Sequence, residues 1–220
     1  MPLQNRIDPF GAIHAVTERG LFTGNRGIIH DPDTRTLLRR RWASQAWLIC
    51  LCEFQSRRRV PMGRNRPGGP DGRGLPGWTE LFFLDEVTAL AAGHRPCFFC
   101  RRERAKDFLM LFGRACHAEE PRAPTLDARL HKERLASGGT PPIIALDRLA
   151  SLPDGAMIAD GEAAYALRSA KLLRWSFSGY IPGVEPSALA KRPLRILTPA
   201  ATLAVLAQGY RPVWHSTAEA

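Results

Sequence analysis

Leu81-Phe82-Phe83-Leu84-Asp85-Glu86-Val87-Thr88-Ala89-Leu90-Ala91-Ala92-Gly93-His94-Arg95-Pro96-Cys97-Phe98-Phe99-Cys100 spells out a strand, a helix and a metal-type turn without interruption. Glu80–Leu84 is short, aromatic and apolar, which predicts a strand. Asp85 stands where a carboxylate accepts from an amide of the first helical turn, and Glu86 follows where the helix dipole favours an acid. Val87, Leu90 and Ala91 recur at helical spacing as an apolar stripe. Gly93 closes the helix in the left-handed conformation, and Pro96 prevents its restarting. The turn delivers Cys97 and Cys100 as a CxxC pair, a spacing at which two thiolates hold one tetrahedral ion.

Three uses of that pair stay open from the residues alone. It is half of a zinc site, or part of an apolar core with Phe98 and Phe99 between the thiols, or a redox pair. Redox motifs of the thioredoxin type begin a helix after a strand, whereas this one follows a helix, so metal binding leads. The other ligands would come from Cys50, Cys52, His94, Cys116, His117 and His131. Cys50 and Cys52 lie on one face of the predicted strand Trp47–Phe54, which suits a shared ion less well than a turn does. Five cysteines, an odd number with one close pair, fit a reducing compartment and a metal better than a disulfide framework. The expectation is a cytoplasmic protein: no apolar run is long enough for a membrane span, and Met1–Arg6 carries no signal-type stretch.

Outward from the motif, the chain reads as α+β, with small mixed sheets and short helices. Towards the N-terminus, Ala12–Val16 and Gly27–His30 are short strand candidates, and Asp33 or Thr34 is placed to cap a helical turn through Arg41. Pro61–Gly77 holds six glycines and four prolines and predicts a flexible insertion. Towards the C-terminus, Arg101–Phe112 and Leu126–Leu135 predict helices, and Ser137-Gly138-Gly139-Thr140-Pro141-Pro142 a boundary. The predicted organisation is a basic domain over residues 1–136 and a smaller α/β unit over residues 143–220. In that unit a turn enters a strand near Ile158, Ala163–Leu167 and Leu172–Phe177 predict further strands, and Leu194–Leu197 predicts one more. Thr198-Pro199 then opens a helix that Gly209 ends. Strand, capping residue, helix and Gly-aromatic-Arg-Pro thus occur twice, the second time ending Gly209-Tyr210-Arg211-Pro212-Val213. Val213 and Ser216 stand where the first copy has Cys97 and Cys100.

The formal net charge is +10, and only four of the 31 basic residues are lysines (Lys106, Lys132, Lys171, Lys191). Guanidinium suits bidentate phosphate contacts, although a GC-rich genome gives the same arginine bias. The surplus is N-terminal: residues 1–66 carry 12 basic against 5 acidic side chains, with Arg39-Arg40-Arg41 and Arg57-Arg58-Arg59 on either side of the apolar Trp47–Phe54 segment. These triplets, with Arg95, Arg101 and Arg102 around the CxxC turn, are the candidate nucleic-acid contacts. Asp127 and His131, four apart on a predicted helix, share a face and are the candidate acid-base pair. Trp175, Phe177, Tyr180 and Trp214 with Arg168, Lys171 and Arg174 interleave aromatic and basic groups, as base-stacking surfaces and ordinary cores both do.

Leu81–Cys100, above all Ala89–Cys100, resembles the zinc-binding N-terminal domain of the Ada DNA-repair methyltransferase and its stand-alone relatives. In that family a strand and helix lead into Gly-aromatic-Arg-Pro-Cys-x-x-Cys, whose cysteines complete a four-cysteine zinc site on a DNA-binding module. The resemblance implies structural zinc at Cys97 and Cys100 and a DNA partner. The family's first pair is Cys-x-x-x-Cys, one member being the methyl acceptor; this chain has Cys50-Leu51-Cys52 instead, so methyl transfer is not implied. The leading expectation is a nucleic-acid-binding protein, DNA favoured over RNA, with a structural zinc and a link to repair or regulation. An enzyme on nucleic acid or nucleotides using His131 and Asp127 is the alternative, with no HNH, Walker, zinc-deaminase or nucleophile-elbow motif behind it. A structural or protein-interaction module is the third.

Overall fold

The structure is a computed structural model that describes every residue except 57–58, 70–71, 185–188, 190–192 and 220. It is α+β: among the described residues, two six-stranded sheets carry short helices. The first sheet runs β2 (Ile13–His14), β1 (Arg6–Ile7), β5 (Leu81–Phe83), β3 (Phe22–Asn25), β4 (Leu48–Leu51) and β6 (Arg95–Pro96). It is mixed: β1 lies parallel to β5 and β4 parallel to β6, while the other pairs are antiparallel. The second sheet runs β11 (Gly179–Val184), β10 (Lys171–Ser176), β9 (Ala163–Arg168), β8 (Met157–Asp160), β12 (Leu194–Ile196) and β7 (Ile143–Ile144), antiparallel throughout.

The opening segment folds as its residues dictate. β5 leads into α1 (Glu86–Ala91), and the Asp85 carboxylate accepts from the amide and the hydroxyl of Thr88, both at 2.8 Å. Gly93 takes φ +80° just beyond the helix, where a Cβ would lie 2.6 Å from Cβ of Arg134. All six residues of α1 are buried, as expected of a helix with apolar neighbours on every side. Ala89 and Leu90 join one core with Phe83, Ile49 and Phe108, while Val87 and Ala91 join another with Met157 and Ala166.

Three more α-helices among the described residues complete the layers: α2 (Arg102–Ala115), α3 (Ala123–Glu133) and α4 (Ala200–Ala207). Phe108 and Phe112 of α2 and Leu126 and Leu130 of α3 share the first core with Ala201, Val205 and Leu206 of α4. The predicted boundary at residues 137–142 therefore separates the sheets along the chain but not the packing, since α4 belongs to the N-terminal core. Glu133 of α3 accepts from the first-turn amide of Ala201 at 2.8 Å, capping α4 from outside. Thr198 does not cap it as expected: Pro199 occupies the capping position, and the Thr198 hydroxyl accepts from Met157 N at 2.8 Å.

Two buried acids next to each other join the halves. Asp85 also accepts from Tyr180 Oη (2.9 Å) and His215 N (3.1 Å). Glu86 accepts from Tyr210 Oη (2.6 Å) and Val213 N (2.9 Å), and pairs with Arg101 at 3.0 Å. Burial pushes both carboxyls up; at Asp85 it prevails, whereas the Arg101 guanidinium and the other donors hold Glu86 below the ordinary range. The second copy of the strand-helix-glycine unit thus closes over the first, with Gly209 at φ +101° matching Gly93.

Elsewhere, expectation and structure part. The residues around Asp33 form a turn bridging His30 to Leu37, with Asp31 accepting from the amides of Asp33 and Thr34, and no helix runs through Arg41. The Gly/Pro-rich insertion is irregular yet anchored: Met62 is wholly buried, its amide donates to Glu80 at 2.8 Å, and Arg66 bridges Leu75.

Candidate metal centre

β4 and β6 bring the cysteines together. Cys97 follows β6, and its amide donates to Ile49 O of β4 at 3.0 Å, which sets the CxxC turn beside Cys50. The sulfurs of Cys50, Cys97 and Cys100 lie within 4.8 Å of one another. Tetrahedral thiolates about 2.3 Å from one zinc-sized ion stand roughly 3.8 Å apart, so one ion fits with a small contraction. Two amides point at the sulfurs: Phe99 N at 3.3 Å from Cys97 Sγ and Leu51 N at 3.4 Å from Cys100 Sγ.

Hydrogen bonds from the Cys100 and Cys50 thiols hold Cys97 far below the usual thiol range, and donation to Cys100 and Cys97 pushes Cys50 up. Soft, closely spaced sulfur, buried at Cys50 and Cys97 and half-buried at Cys100, suits a thiophilic metal. Three thiolates of this chain can hold a metal ion.

The other ligand candidates are elsewhere. Cys52 lies just beyond β4, its thiol turned to Leu21 O at 3.6 Å. His94 is enclosed by Trp47 and Phe83 and accepts from Arg26 Nε at 3.3 Å. Cys116 and His117 end α2 on the surface. His131 meets the ring of Trp42, with centroids 4.6 Å apart. It has no bond to Asp127, both of whose oxygens accept from Arg95, at 2.8 and 2.7 Å. The expected Asp127–His131 pair is therefore replaced by a buried Arg95–Asp127 ion pair: an oriented carboxylate goes to the guanidinium that shares its burial.

The arginines divide the same way. Arg95 and Arg101 are buried in ion pairs with Asp127 and Glu86, so neither guanidinium presents itself to a phosphate. Arg59 pairs with Glu80 at 2.6 Å and lies over the Trp78 ring at 4.4 Å. Arg39, Arg40, Arg41 and Arg102 are exposed. Arg57 and Arg58 lie outside the described residues.

All three cysteines line one cleft of about 540 Å³. Leu48, Phe54, Phe82 and Phe99 form apolar parts of its wall, and Asn25, Arg59, Trp78 and Glu80 a more polar part. The sequence did not single out Asn25, Trp78 or Glu80, since none sits in a recognisable spacing relative to the cysteines. No described helix is long and apolar enough to cross a membrane. No family model, curated protein or solved structure matches the chain.

Proposed function

We propose that this chain is a nucleic-acid-binding protein, with DNA favoured over RNA, whose first sheet is pinned by one zinc ion on Cys50, Cys97 and Cys100. The close approach of those three sulfurs carries the reading. Zinc suits them because it accepts several thiolates in tetrahedral geometry without redox chemistry. The resemblance of Leu81–Cys100 to the Ada zinc domain points the same way. The net charge of +10 and the exposed Arg39–Arg41 run supply the phosphate contacts. A role in repair or regulation is the corresponding biological setting.

The test has two parts. Elemental analysis of the purified protein should give one zinc per chain, lost on Cys97→Ser with Cys100→Ser and retained on Cys116→Ser. Anisotropy of labelled duplex DNA, single-stranded DNA and duplex RNA should show binding that weakens steeply with salt. Replacing Arg39, Arg40 and Arg41 together by alanine should lower the slope of log affinity against log salt by about 2–3. DNA affinity that does not change with salt, or a wild-type slope in the triple variant, overturns the reading.

A further inference from the structure

The thiolate cluster is one donor short of a closed site. Among the described residues, the group of side chains able to share a metal stops at Cys50, Cys97 and Cys100. Two further donors line the same cleft, and both are engaged: Cys52 with Leu21 O, and Glu80 with Arg59, Asn65 and the amide of Met62. A structural zinc takes four protein ligands, whereas three protein ligands beside an accessible cleft leave one coordination position to a molecule from outside. All three cysteines face that cleft, so the fourth position opens onto it.

The walls say what kind of molecule fits. Phe54 and Phe99 meet edge to face at 5.3 Å, and Phe99 is 73% exposed at the rim. Trp78 and Phe82 line the same space. Such surfaces take flat rings by stacking. Charge narrows the choice. Three thiolates around a divalent ion sum to −1, and Arg59, the cation in the wall among the described residues, is paired with Glu80. A second anion would be repelled, while a neutral donor adds no charge. For the rim of a ring, Asn25 and the Nη2 of Arg59 are at hand; that Nη2 is a buried donor with no partner among the described residues.

We propose that the fourth coordination position is taken by a neutral, planar nitrogen heterocycle from outside the chain, the donor class that an unstacked nucleobase presents. This rests on the thiolate cluster for the metal and on the nucleic-acid reading for the source of the ring.

The experiment uses the full chain loaded with cobalt(II), whose thiolate charge-transfer absorption counts the sulfurs and whose d–d bands report the fourth ligand. Imidazole should shift the d–d bands saturably and leave the charge-transfer intensity in place, and azide should leave both unchanged. Adenosine and single-stranded DNA, added separately, distinguish a free base from one held in a strand. Phe99→Ala, at an exposed position, should weaken the imidazole response by about five-fold or more, the worth of one ring stack. Cys52→Ser should leave the spectrum unchanged. Cobalt-loaded protein whose bands ignore imidazole, or a Cys52→Ser variant that loses charge-transfer intensity, overturns this inference alone. A clear imidazole shift in a protein that binds no DNA retains the ligand class and overturns the nucleic-acid source. Failure to take up cobalt overturns the metal centre itself.

Discussion

Arg26, Trp47, His94 and Arg134 show how single residues set the conditions for this fold. The guanidiniums of Arg26 and Arg134 both lie over the Trp47 ring, at 3.9 and 4.0 Å, and burial pushes each down to about 9. His94 packs against the same ring, and burial, then Arg26 and Arg134, hold its imidazole well below the ordinary value of 6.5. The sign follows from linkage. In the unfolded chain His94 takes up a proton near pH 6.5, and in the folded chain it does so only at much lower pH. Unfolding is thus accompanied by proton uptake in between, and stability drops as pH falls from 7 towards 5. The loss is at most about 1.4 kcal/mol per pH unit for one group. Urea midpoints at pH 7.5 and 5.5 should therefore converge in His94→Gln relative to wild type, while His30 and His131, also lowered by burial, remain in both. An equal fall in the two proteins would remove His94 from the account.

The elements that were readable are those fixed by local chemistry. Asp85, α1 and Gly93 follow from capping and chirality within a few residues, and the structure places the cap and the positive φ there. β3 was not readable, because the strand formers Phe22 and Thr23 run straight into Gly24-Asn25, a pair that marks turns. A Cβ on Gly24 would stand 2.1 Å from Leu48 O, so close strand approach selects glycine there against its intrinsic tendency. The metal centre was half readable. CxxC is a local turn, but the third sulfur depends on the parallel pairing of β4 with β6, and Cys52 leaves the cluster because β4 ends at Leu51. The Asp127–His131 spacing misled because helical periodicity says which residues share a face and not which distant arginine reaches them. The two helix-ending glycines allow an internal comparison. Gly93→Ala must both adopt φ +80° and displace Arg134, and should cost about 2 kcal/mol or more in urea unfolding. Gly209→Ala has φ +101° with nothing within 4 Å of the added methyl, and should cost about 1 kcal/mol. Equal losses would show that the Arg134 contact is immaterial.

At the scale of the molecule, the two sheets share their cores. Ala201, Val205, Leu206 and Tyr210 complete a core otherwise built from residues before 131, and Leu84, Val87 and Ala91 complete the core of the second sheet. Truncation after residue 142 should therefore leave a chain without a cooperative thermal transition or dispersed amide resonances, rather than a stable N-terminal domain. A fragment that melts sharply and binds one zinc would overturn this. The C-terminal aromatics belong largely to that shared interior: Tyr180 is buried against Asp85, and Trp175 donates to Thr88 Oγ1 at 3.0 Å.

The reach of Asp85 and Glu86 also bears on how the protein is made. Their partners at Tyr210, Val213 and His215 lie as far as 130 positions downstream, while every cysteine of the metal cluster precedes residue 101. A ribosome therefore releases the three thiols well before it releases the segment that covers the two acids. In that interval the two charged side chains are still solvated, and α1 is covered only once the last residues follow. Slowing translation beyond residue 142 should lengthen this unsealed stage and the time for which chaperones hold the chain.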